Sequence, residues 1–277
     1  MDSRISLKTP AKINLHLNIT AKRADGYHEI ETLFLPVKSL TDTVTIEPGE
    51  SIEIVCAHPG VPEDSSNLCW KAADLFFKTT GLPSGVKITI EKNIPVAGGM
   101  GGGSSDAAAV FRILNHEYGQ PLDDKKLNEL AASIGADIPF FLNPVPSTAT
   151  GIGEVLTPVE VPKEFALVIA APAFPVSAGW AYKNLDIEAN RSKVSLEEVL
   201  SNLDDYHPHN SLAAAVIKKF ALVKGLLDDL SELGAISQVS GSGPTVFGIC
   251  PGKEEAEAVC GKLKELYPAI NIFTGQA

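Results

Sequence analysis

A run of glycines is the stretch of this sequence best suited to hold an anion. Residues 94–109 read IPVAGGMGGGSSDAAA, in which five of the six positions 98–103 are glycine. Apolar side chains then recur at helical spacing, so the run is predicted to lie directly before a helix. The first N–H groups of a helix have no partner within it, and glycines let phosphate oxygens approach them without a Cβ in the way. We therefore predict a phosphate-binding loop rather than a flexible linker or a tight turn.

The loop matches neither of the standard phosphate-binding patterns. Both G-x-x-x-x-G-K-[ST] and G-x-G-x-x-G are absent from the run. Because the run contains no lysine, positive charge has to come from the helix N-terminus, from Lys92 and from Lys12. Ser104, Ser105 and Asp106 are candidates for capping the helix or for contacting a nucleotide.

A lysine and an aspartate far apart in sequence are suited to phosphoryl transfer to an alcohol. In KINLHLNIT, apolar residues alternate with polar ones that include Lys12 and Asn14, which predicts a strand with one buried face. Asp137 follows a predicted helix, in SIGADIPFF. The Asp137 carboxylate could accept a hydroxyl proton, while the Lys12 ammonium stabilises charge between the nucleophile and a γ-phosphate. The alternatives are a solvated lysine and an aspartate that belongs to a turn or a helix cap.

Two further segments carry weaker signals. RADGYHEIETLF places a turn at Asp25-Gly26, followed by Tyr27, His28 and Phe34. A tyrosine and a histidine after a turn could stack on a base and hydrogen-bond it, and a surface hairpin is the alternative. SGSGPTVFG, at 240–248, is a second glycine loop between predicted strands, which alone indicates only a hairpin.

The predicted elements mix strands and helices without strict β-α-β alternation, which favours an α+β fold over a doubly wound sheet. A helix is predicted to begin at Ser66 or Asn67 and to end at Gly81. Further helices are predicted over 107–118, 123–135, 195–203, 210–234 and 253–268. The segment 143–164 is rich in proline, glycine and threonine and is our candidate for a domain junction, which divides the chain into 1–153 and 154–277.

Composition and charge exclude several classes of partner. The 277 residues carry a formal net charge of −11, which disfavours binding to nucleic acid or to an anionic membrane. The four cysteines lack C-x-x-C spacing and are predicted to be buried thiols of a reducing compartment. No signal-peptide pattern and no membrane-spanning run is present, so a cytoplasmic protein is expected. The expected assembly is a monomer or a weak homodimer.

Taken together, six segments resemble one branch of the GHMP kinases. In chain order they are PAKINLHLNIT, RADGYHEIETLF, IPVAGGMGGGSSDAAA, GADIPFF, GIGEVLTPV and SGSGPTVFG. The likeness covers nearly the whole chain and is weakest across 177–233. The glycine motif indicates the superfamily, whereas PAKIN, RADGYH and GADIPFF indicate the branch that phosphorylates a cytidine-diphosphate-linked sugar alcohol for non-mevalonate isoprenoid synthesis. The resemblance implies a two-domain α+β GHMP fold, with an N-terminal ATP-binding domain and the active site in the cleft between the domains.

The resemblance also implies roles for individual residues. Asp137 would be the base on the 2-hydroxyl of the methylerythritol moiety, and Lys12 would orient that hydroxyl and stabilise the developing charge. The substrate-binding positions would be Asn14, Tyr27, His28, Phe34 and Tyr182, with Tyr27 and Tyr182 on either side of the cytosine. ATP would be bound, with Mg²⁺, by Asn67, Lys92, Pro95, Val96, Ala97, Gly98, Gly99, Met100, Gly101, Gly102, Gly103, Ser104, Ser105 and Asp106.

The sequence departs from the family pattern at three positions. Asp106 stands where asparagine is frequent, and we expect it to cap the helix or to contact ribose. Ala178 replaces a common threonine and Ser211 replaces the usual aspartate, which bears on the substrate contacts of the second half. The magnesium ligands are left open, with Ser104 or Ser105 as contributors.

Two other functions are compatible with parts of the pattern. A GHMP kinase with another alcohol substrate, of the homoserine or mevalonate type, is the first, and RADGYH argues against it. A nucleotide-binding regulator that has lost catalysis is the second. The presence of both Lys12 and Asp137 disfavours that alternative.

Overall fold

The computed structural model describes residues 4–203 and 205–277, and its contacts divide the chain into two compact units. The first unit comprises the chain up to Ala11, Leu40–Val96 and Gly101–Pro144. The second comprises Lys12–Ser39, Ala97–Met100 and the residues from Val145 onward. Two long strands contribute residues to both units, namely β1 (Ile5–Lys22) and β2 (His28–Pro48).

The first unit joins strands to a group of helices. Its further strands are β3 (Ile52–Cys56) and β4 (Val86–Glu91), and its helices are α1 (Leu68–Thr80), α2 (Gly102–Glu117), α3 (Asp124–Ile134) and α4 (Ile138–Leu142). The end of β2 pairs antiparallel with β4, and β4 pairs parallel with β3. The core of this unit contains large aromatic side chains with at most 1% exposure, including Phe76, Phe111, Phe140 and Phe141.

Local signals in the sequence set the ends of α1. The side-chain oxygen of Asn67 accepts a hydrogen bond of 2.8 Å from the N–H of Cys69, which makes Asn67 the N-cap. Gly81 closes the helix in the left-handed conformation at φ 69°. Both predictions are confirmed. Helix α4 was not predicted; it is short and has Pro139 in its first turn, where proline is tolerated because no intrahelical donor is lost.

The second unit contains an antiparallel sheet in the order β11-β7-β10-β9. These strands are β7 (Ala166–Ala171), β9 (Ile236–Val239), β10 (Val246–Cys250) and β11 (Asn271–Gln276). The helices of this unit are α5 (Ala178–Lys183), α6 (Ile187–Asn190), α7 (Leu196–Ser201), α8 (Ala213–Lys219), α9 (Ala221–Glu232) and α10 (Lys253–Leu266). Val168, Val216, Leu226 and Leu230 pack in one buried cluster, which joins this sheet to helices α8 and α9.

Three shorter strands extend the pairing of β1 and β2 within the second unit. They are β5 (Ser147–Thr150), β6 (Val155–Pro158) and β8 (His209–Asn210). β8 pairs parallel with β1 at His16 and Leu17, and β5 pairs antiparallel with β2 at 32–34. The predicted junction at 143–164 therefore contains a hairpin, β5-β6, rather than irregular chain alone. The boundary at 153/154 stays a prediction.

The predicted helix over 210–234 is two helices in the structure. The chain leaves the helical conformation at Phe220, with φ −117° and ψ 94°, between α8 and α9. The Phe220 ring stacks on Phe174 at 5.0 Å and meets Trp180 edge-on at 5.7 Å. Because these partners are distant in sequence, helical spacing alone could not locate the break.

The cysteines, the possible metal ligands and the helices of the described residues each bear on a prediction made from the sequence. Cys56, Cys69, Cys250 and Cys260 are buried free thiols, as predicted. The described part of the chain holds no cluster of three His, Cys, Asp or Glu side chains that could bind a metal ion. Among the same residues, every helix is too short or too polar to cross a bilayer.

Candidate functional site

The polar face of β1 is buried, although alternation predicted only one buried face. The side chains of the predicted apolar face are in the core, with Ile13 and Leu15 at 0% and 1% exposure. Lys12 and Asn14, on the opposite face, are 4% and 2% exposed. An ammonium withdrawn from water is costly unless other groups compensate its charge, so this face requires dedicated partners. The solvated-lysine alternative is therefore excluded.

Lys12 lies against the first half of the glycine run. Its Nζ donates to Asn14 Oδ1 at 2.6 Å and to the Gly99 carbonyl at 3.2 Å. The backbone N–H of Lys12 donates to the Met100 carbonyl at 3.0 Å. The ammonium also lies 5.3 Å from the centroid of the Phe34 ring, within cation–π range. The second unit thus brings together a predicted catalytic lysine, two predicted substrate residues and the start of the phosphate loop.

The second glycine loop holds the first one in place, a role that sequence reasoning did not assign. Ser240 Oγ donates to the Gly99 carbonyl at 3.1 Å, and the N–H of Thr245 donates to the Gly98 carbonyl at 3.3 Å. The amide of Asn210 in turn donates to the carbonyl of Gly241 at 2.8 Å. The SGSGPTVFG motif is thus more than a hairpin, because it supports the backbone beside Lys12.

Gly99 has to be glycine for a reason of packing. Its φ is +81°, and a Cβ at this position would lie 2.1 Å from the Ser240 carbonyl oxygen. That separation is far below any real van der Waals contact. Gly103, by contrast, has only Leu68 within reach of an added Cβ, at 3.8 Å. The glycines of the run therefore serve different purposes, since some permit close loop packing and others leave backbone exposed.

The second half of the glycine run forms the start of α2 in the first unit. Gly101 is the N-cap in the left-handed conformation, and no side chain of this described segment caps the helix. Ser105 is fully buried, with its Oγ bonded to Thr9 at 2.5 Å and to the Pro10 carbonyl at 2.6 Å. The expectation that Ser105 or Asp106 caps α2 is therefore wrong. Gly103 is exposed and Ser104 half-buried at this helix start.

Lys92 is held between two carboxylates. Its ammonium bonds the carboxylate of Asp42 and, at 2.7 Å, Asp106 Oδ2, and all three side chains are at most 4% exposed. Burial disfavours the charged form, but the charges of Asp106 and Asp42 outweigh it and raise the pKa of Lys92. Lys92 was expected to supply positive charge to phosphates. In the structure the carboxylates of Asp42 and Asp106 compensate its charge instead.

Burial acts in the opposite direction on the acid of this pair. It raises the pKa of Asp106 from 3.8 to about 7, against the lowering effect of Lys92, and the charge of Asp42 adds to the rise. Asp106 Oδ1 is buried and has no hydrogen-bond partner among the described residues. Asp106, which stands where asparagine is frequent in the family, thus belongs to a buried ion-pair group with Lys92 and Asp42.

The remaining nucleotide-side residues have structural roles of their own. Asn67 caps α1 with its oxygen and donates its amide to the Pro62 carbonyl at 2.6 Å. Pro95 and Val96 are half-buried, and Ala97 is exposed in the left-handed region with φ 53°. Contacts of these residues with a nucleotide stay predictions.

Asp137 lies between two helices of the first unit. It is half-buried and immediately precedes α4. Its side chain makes no capping hydrogen bond to the described first turn of that helix. Asp137 therefore lies in a turn at the N-cap position of α4, as the alternative expects, but without a capping side-chain bond, and the base role stays a prediction.

The predicted cytosine site contains an aromatic stack between two of its residues, and the placement of cytosine between Tyr27 and Tyr182 stays a prediction. The His28 ring stacks on Tyr182 with centroids 4.9 Å apart and planes 26° apart. Tyr27 is 59% exposed, and Asp25 Oδ1 accepts from its backbone N–H at 3.0 Å. Burial, with the charge of Lys22, lowers the pKa of His28 and so favours the neutral form of its imidazole.

The two other departures from the family pattern lie in different environments. Ser211 is fully buried, and its hydroxyl accepts from the N–H of Ile19 at 3.1 Å, which helps to hold β8 beside β1. Ala178 is exposed at the start of α5, whose N-cap is Ser177. Ser211 thus has a structural role, whereas nothing in the structure explains Ala178.

Comparison with known proteins gives a consistent family match. The family described as GHMP kinases N terminal domain matches residues 67–143, and GHMP kinases C terminal matches 191–269. A 4-diphosphocytidyl-2-C-methyl-D-erythritol kinase of Chloroherpeton thalassium is 39% identical over 93% of both chains. A crystal structure of 4-(cytidine 5'-diphospho)-2C-methyl-D-erythritol kinase has a TM-score of 0.83, 33% identity and 98% coverage of both chains.

A more distant structure shares the fold alone. Homoserine kinase from Cytophaga hutchinsonii has a TM-score of 0.77 with 17% identity, covering 99% of this chain and 95% of its own. At that identity the likeness extends to the arrangement of elements and carries no information on the acceptor alcohol.

The buried Asp106 predicts a specific pH dependence of stability. Because its pKa is raised in the folded chain, its stabilising contribution is complete below the unfolded pKa of about 4 and is lost as pH rises through about 7. We expect the free energy of unfolding of Asp106→Asn to rise relative to that of the wild type as pH increases from about 4 to about 7. Urea unfolding at several pH values measures this, with the exposed Asp124→Asn as control. A difference that stays constant with pH would contradict the assignment.

Proposed function

The chain belongs to the GHMP kinase family, in its 4-diphosphocytidyl-2-C-methyl-D-erythritol kinase branch, and from that premise we propose how its residues work. The protein transfers the γ-phosphoryl group of ATP to the 2-hydroxyl of 4-diphosphocytidyl-2-C-methyl-D-erythritol, a step of non-mevalonate isoprenoid precursor synthesis. The observation that carries the mechanism is the buried ammonium of Lys12 beside the glycine run. Homoserine- and mevalonate-type kinases are related to the chain by fold.

Lys12 orients the acceptor hydroxyl and stabilises the charge that develops during transfer. Its ammonium is held by Asn14 and by the carbonyl of Gly99 rather than by a flexible, solvated stem. A fixed cation in a site withdrawn from water stabilises developing negative charge without reorganising at the moment of reaction. The phosphate loop begins at the carbonyl that Lys12 contacts.

Asp137 accepts the proton of the 2-hydroxyl as the oxygen attacks the γ-phosphorus. A half-buried carboxylate next to a helix start is accessible to a substrate while its backbone is fixed by α4. Proton removal by a positioned carboxylate raises the nucleophilicity of the alcohol as the new P–O bond forms. The β–γ bridging oxygen leaves with its electron pair on ADP.

The aromatic group at the β1–β2 turn binds the cytidine moiety. The exposed Tyr27 ring offers a stacking face, and the stacked His28 and Tyr182 offer a second aromatic surface. A neutral His28 can donate or accept a hydrogen bond at the base edge. Phe34 contacts the Lys12 ammonium and so lies where the catalytic and substrate residues of the second unit meet.

ATP is bound by the glycine run with Mg²⁺. Since the described residues contain no cluster of three metal-binding side chains, they fit an ion carried mainly by nucleotide phosphates, as is usual for Mg²⁺ in kinases. Ser104 would contribute an oxygen, because the Ser105 hydroxyl is occupied by Thr9 and Pro10. When bound, the ion neutralises charge on the phosphates. A cytoplasmic location and a monomer or weak homodimer stay predictions.

Turnover of the cytidine substrate tests the function directly. We expect the purified protein with ATP and Mg²⁺ to release ADP when given 4-diphosphocytidyl-2-C-methyl-D-erythritol, and not with homoserine or mevalonate. A coupled absorbance assay follows the ADP. Absence of ADP release above background with the cytidine substrate would refute the proposal, and release with another acceptor would identify a different member of the family.

The base role predicts that Asp137→Asn folds and binds ATP but loses turnover by about 10²- to 10⁴-fold, the usual contribution of a general base. The loss is expected in kcat, since the amide cannot accept the proton. Steady-state kinetics and ATP titration measure the two properties. Asp124→Asn, an exposed change in α3, is the control. Near-normal turnover of Asp137→Asn would remove Asp137 as base.

The stacking role predicts that Tyr27→Ala weakens the binding of the cytidine substrate far more than the binding of ATP. Stacking on a base contributes about 1–3 kcal/mol, so KM for the cytidine substrate should rise roughly fivefold to a hundredfold. Tyr27→Phe keeps the ring and should behave as the wild type. Equal weakening of both substrates would argue against a role in cytosine binding.

A further inference from the structure

A chain of buried hydrogen bonds leads from Lys12 to the backbone of β1. Lys12 Nζ donates to Asn14 Oδ1 at 2.6 Å, and Asn14 Nδ2 donates to Thr32 Oγ1 at 2.8 Å. Thr32 Oγ1 donates to the His16 carbonyl at 2.6 Å. The side chains of Lys12, Asn14 and Thr32 belong to residues at most 4% exposed, so water does not compete for these bonds. Thr32 has no role in the function proposed above.

The backbone carbonyl of His16 fixes the donor and the acceptor of every hydrogen bond in this series. A carbonyl oxygen can only accept, so the single hydroxyl hydrogen of Thr32 has to point at His16. Thr32 Oγ1 can then only accept from Asn14, and the atom of Asn14 that faces it has to be the NH₂ group. The amide oxygen of Asn14 is thereby turned toward Lys12, where it accepts from the ammonium.

The last two residues of this hydrogen-bond chain, Thr32 and His16, belong to paired strands. His16 in β1 pairs with His209 in β8, and Thr32 in β2 pairs with Ala149 in β5. Because the Thr32 side chain bridges two held backbones, the orientation of the Asn14 amide is set by the sheet. A flipped amide would place its NH₂ group against the ammonium, with two donors face to face.

We propose that Thr32 is a positioning residue for phosphoryl transfer, which acts through Asn14 to keep the Lys12 ammonium in place. The inference rests on the proposed function, since it assigns Thr32 to the same site. Thr32 acts through its hydrogen bonds to Asn14 and to the His16 carbonyl, and not as a catalytic residue. Its hydroxyl sets which atom of Asn14 the lysine meets.

The first test replaces the hydroxyl by a methyl group of similar size. We expect Thr32→Val to lower kcat roughly tenfold to a hundredfold while KM for ATP changes less than about twofold. Thr32→Ser keeps the hydroxyl and should restore kcat to within about threefold of the wild type. Thr45→Val is the matched control, because Thr45 is also buried in β2 and its hydroxyl bonds Ser6 at 2.8 Å.

The second test is a double-mutant cycle with Asn14→Ala. If Thr32 acts through Asn14, adding Thr32→Val to the Asn14→Ala variant lowers kcat only slightly further. The effects of the two substitutions on kcat are then not additive. Thermal unfolding of each variant checks folding, and Thr32→Ala replaces Thr32→Val in the cycle if the valine variant does not fold.

Three outcomes would overturn the proposal. They are a kcat of Thr32→Val equal to that of Thr45→Val, a loss of equal size in both Asn14 backgrounds, and a failure of Thr32→Ser to recover. Failure of the proposed function is recognised separately, because the wild type itself would then not phosphorylate the cytidine substrate. A wild type that turns over, with a normal Thr32→Val, refutes the role of Thr32 alone.

Discussion

The ammonium of Lys12, held out of water on a central strand, is the constraint on which the arrangement of the second unit depends. Withdrawing a charge from solvent is unfavourable by several kcal/mol unless neighbouring groups compensate it. An amide oxygen, a backbone carbonyl and an aromatic face are among the groups that contact the cation. The carbonyl comes from Gly99, which approaches closely because the Ser240 backbone packs where its side chain would be. Glycine is thus required at this position of the run partly because the two loops pack closely beside a buried charge.

Lys12 and Lys92 show how surroundings decide what a charge can do. The Lys92 ammonium bonds two carboxylates, which compensate its charge within the first unit. The Lys12 ammonium donates to the amide oxygen of Asn14 and to the carbonyl of Gly99. Both lysines are sequence candidates for binding phosphate, and only contacts with residues distant in sequence distinguish their environments.

Local features of the sequence predicted the local parts of the fold. The cap at Asn67 and the stop at Gly81 follow from short-range chemistry, and the structure has both. The burial of the polar face of β1, the stacking of His28 on Tyr182 and the break at Phe220 each need a partner more than a hundred residues away or on another element. Period and spacing contain no information on such partners, which is why they do not single out Thr32 and indicate only a hairpin for SGSGPTVFG.

The burial of the cysteines has a practical consequence for spectroscopy. All four thiols lie inside the fold, and burial, together with the negative charge of Asp106, raises the pKa of Cys69 well above its usual range. Only thiolates react readily with maleimides and similar reagents, so the native thiols are poor targets for such labels while the chain stays folded. A single cysteine introduced at an exposed position would therefore carry a fluorophore or spin label selectively, without removal of the natural ones.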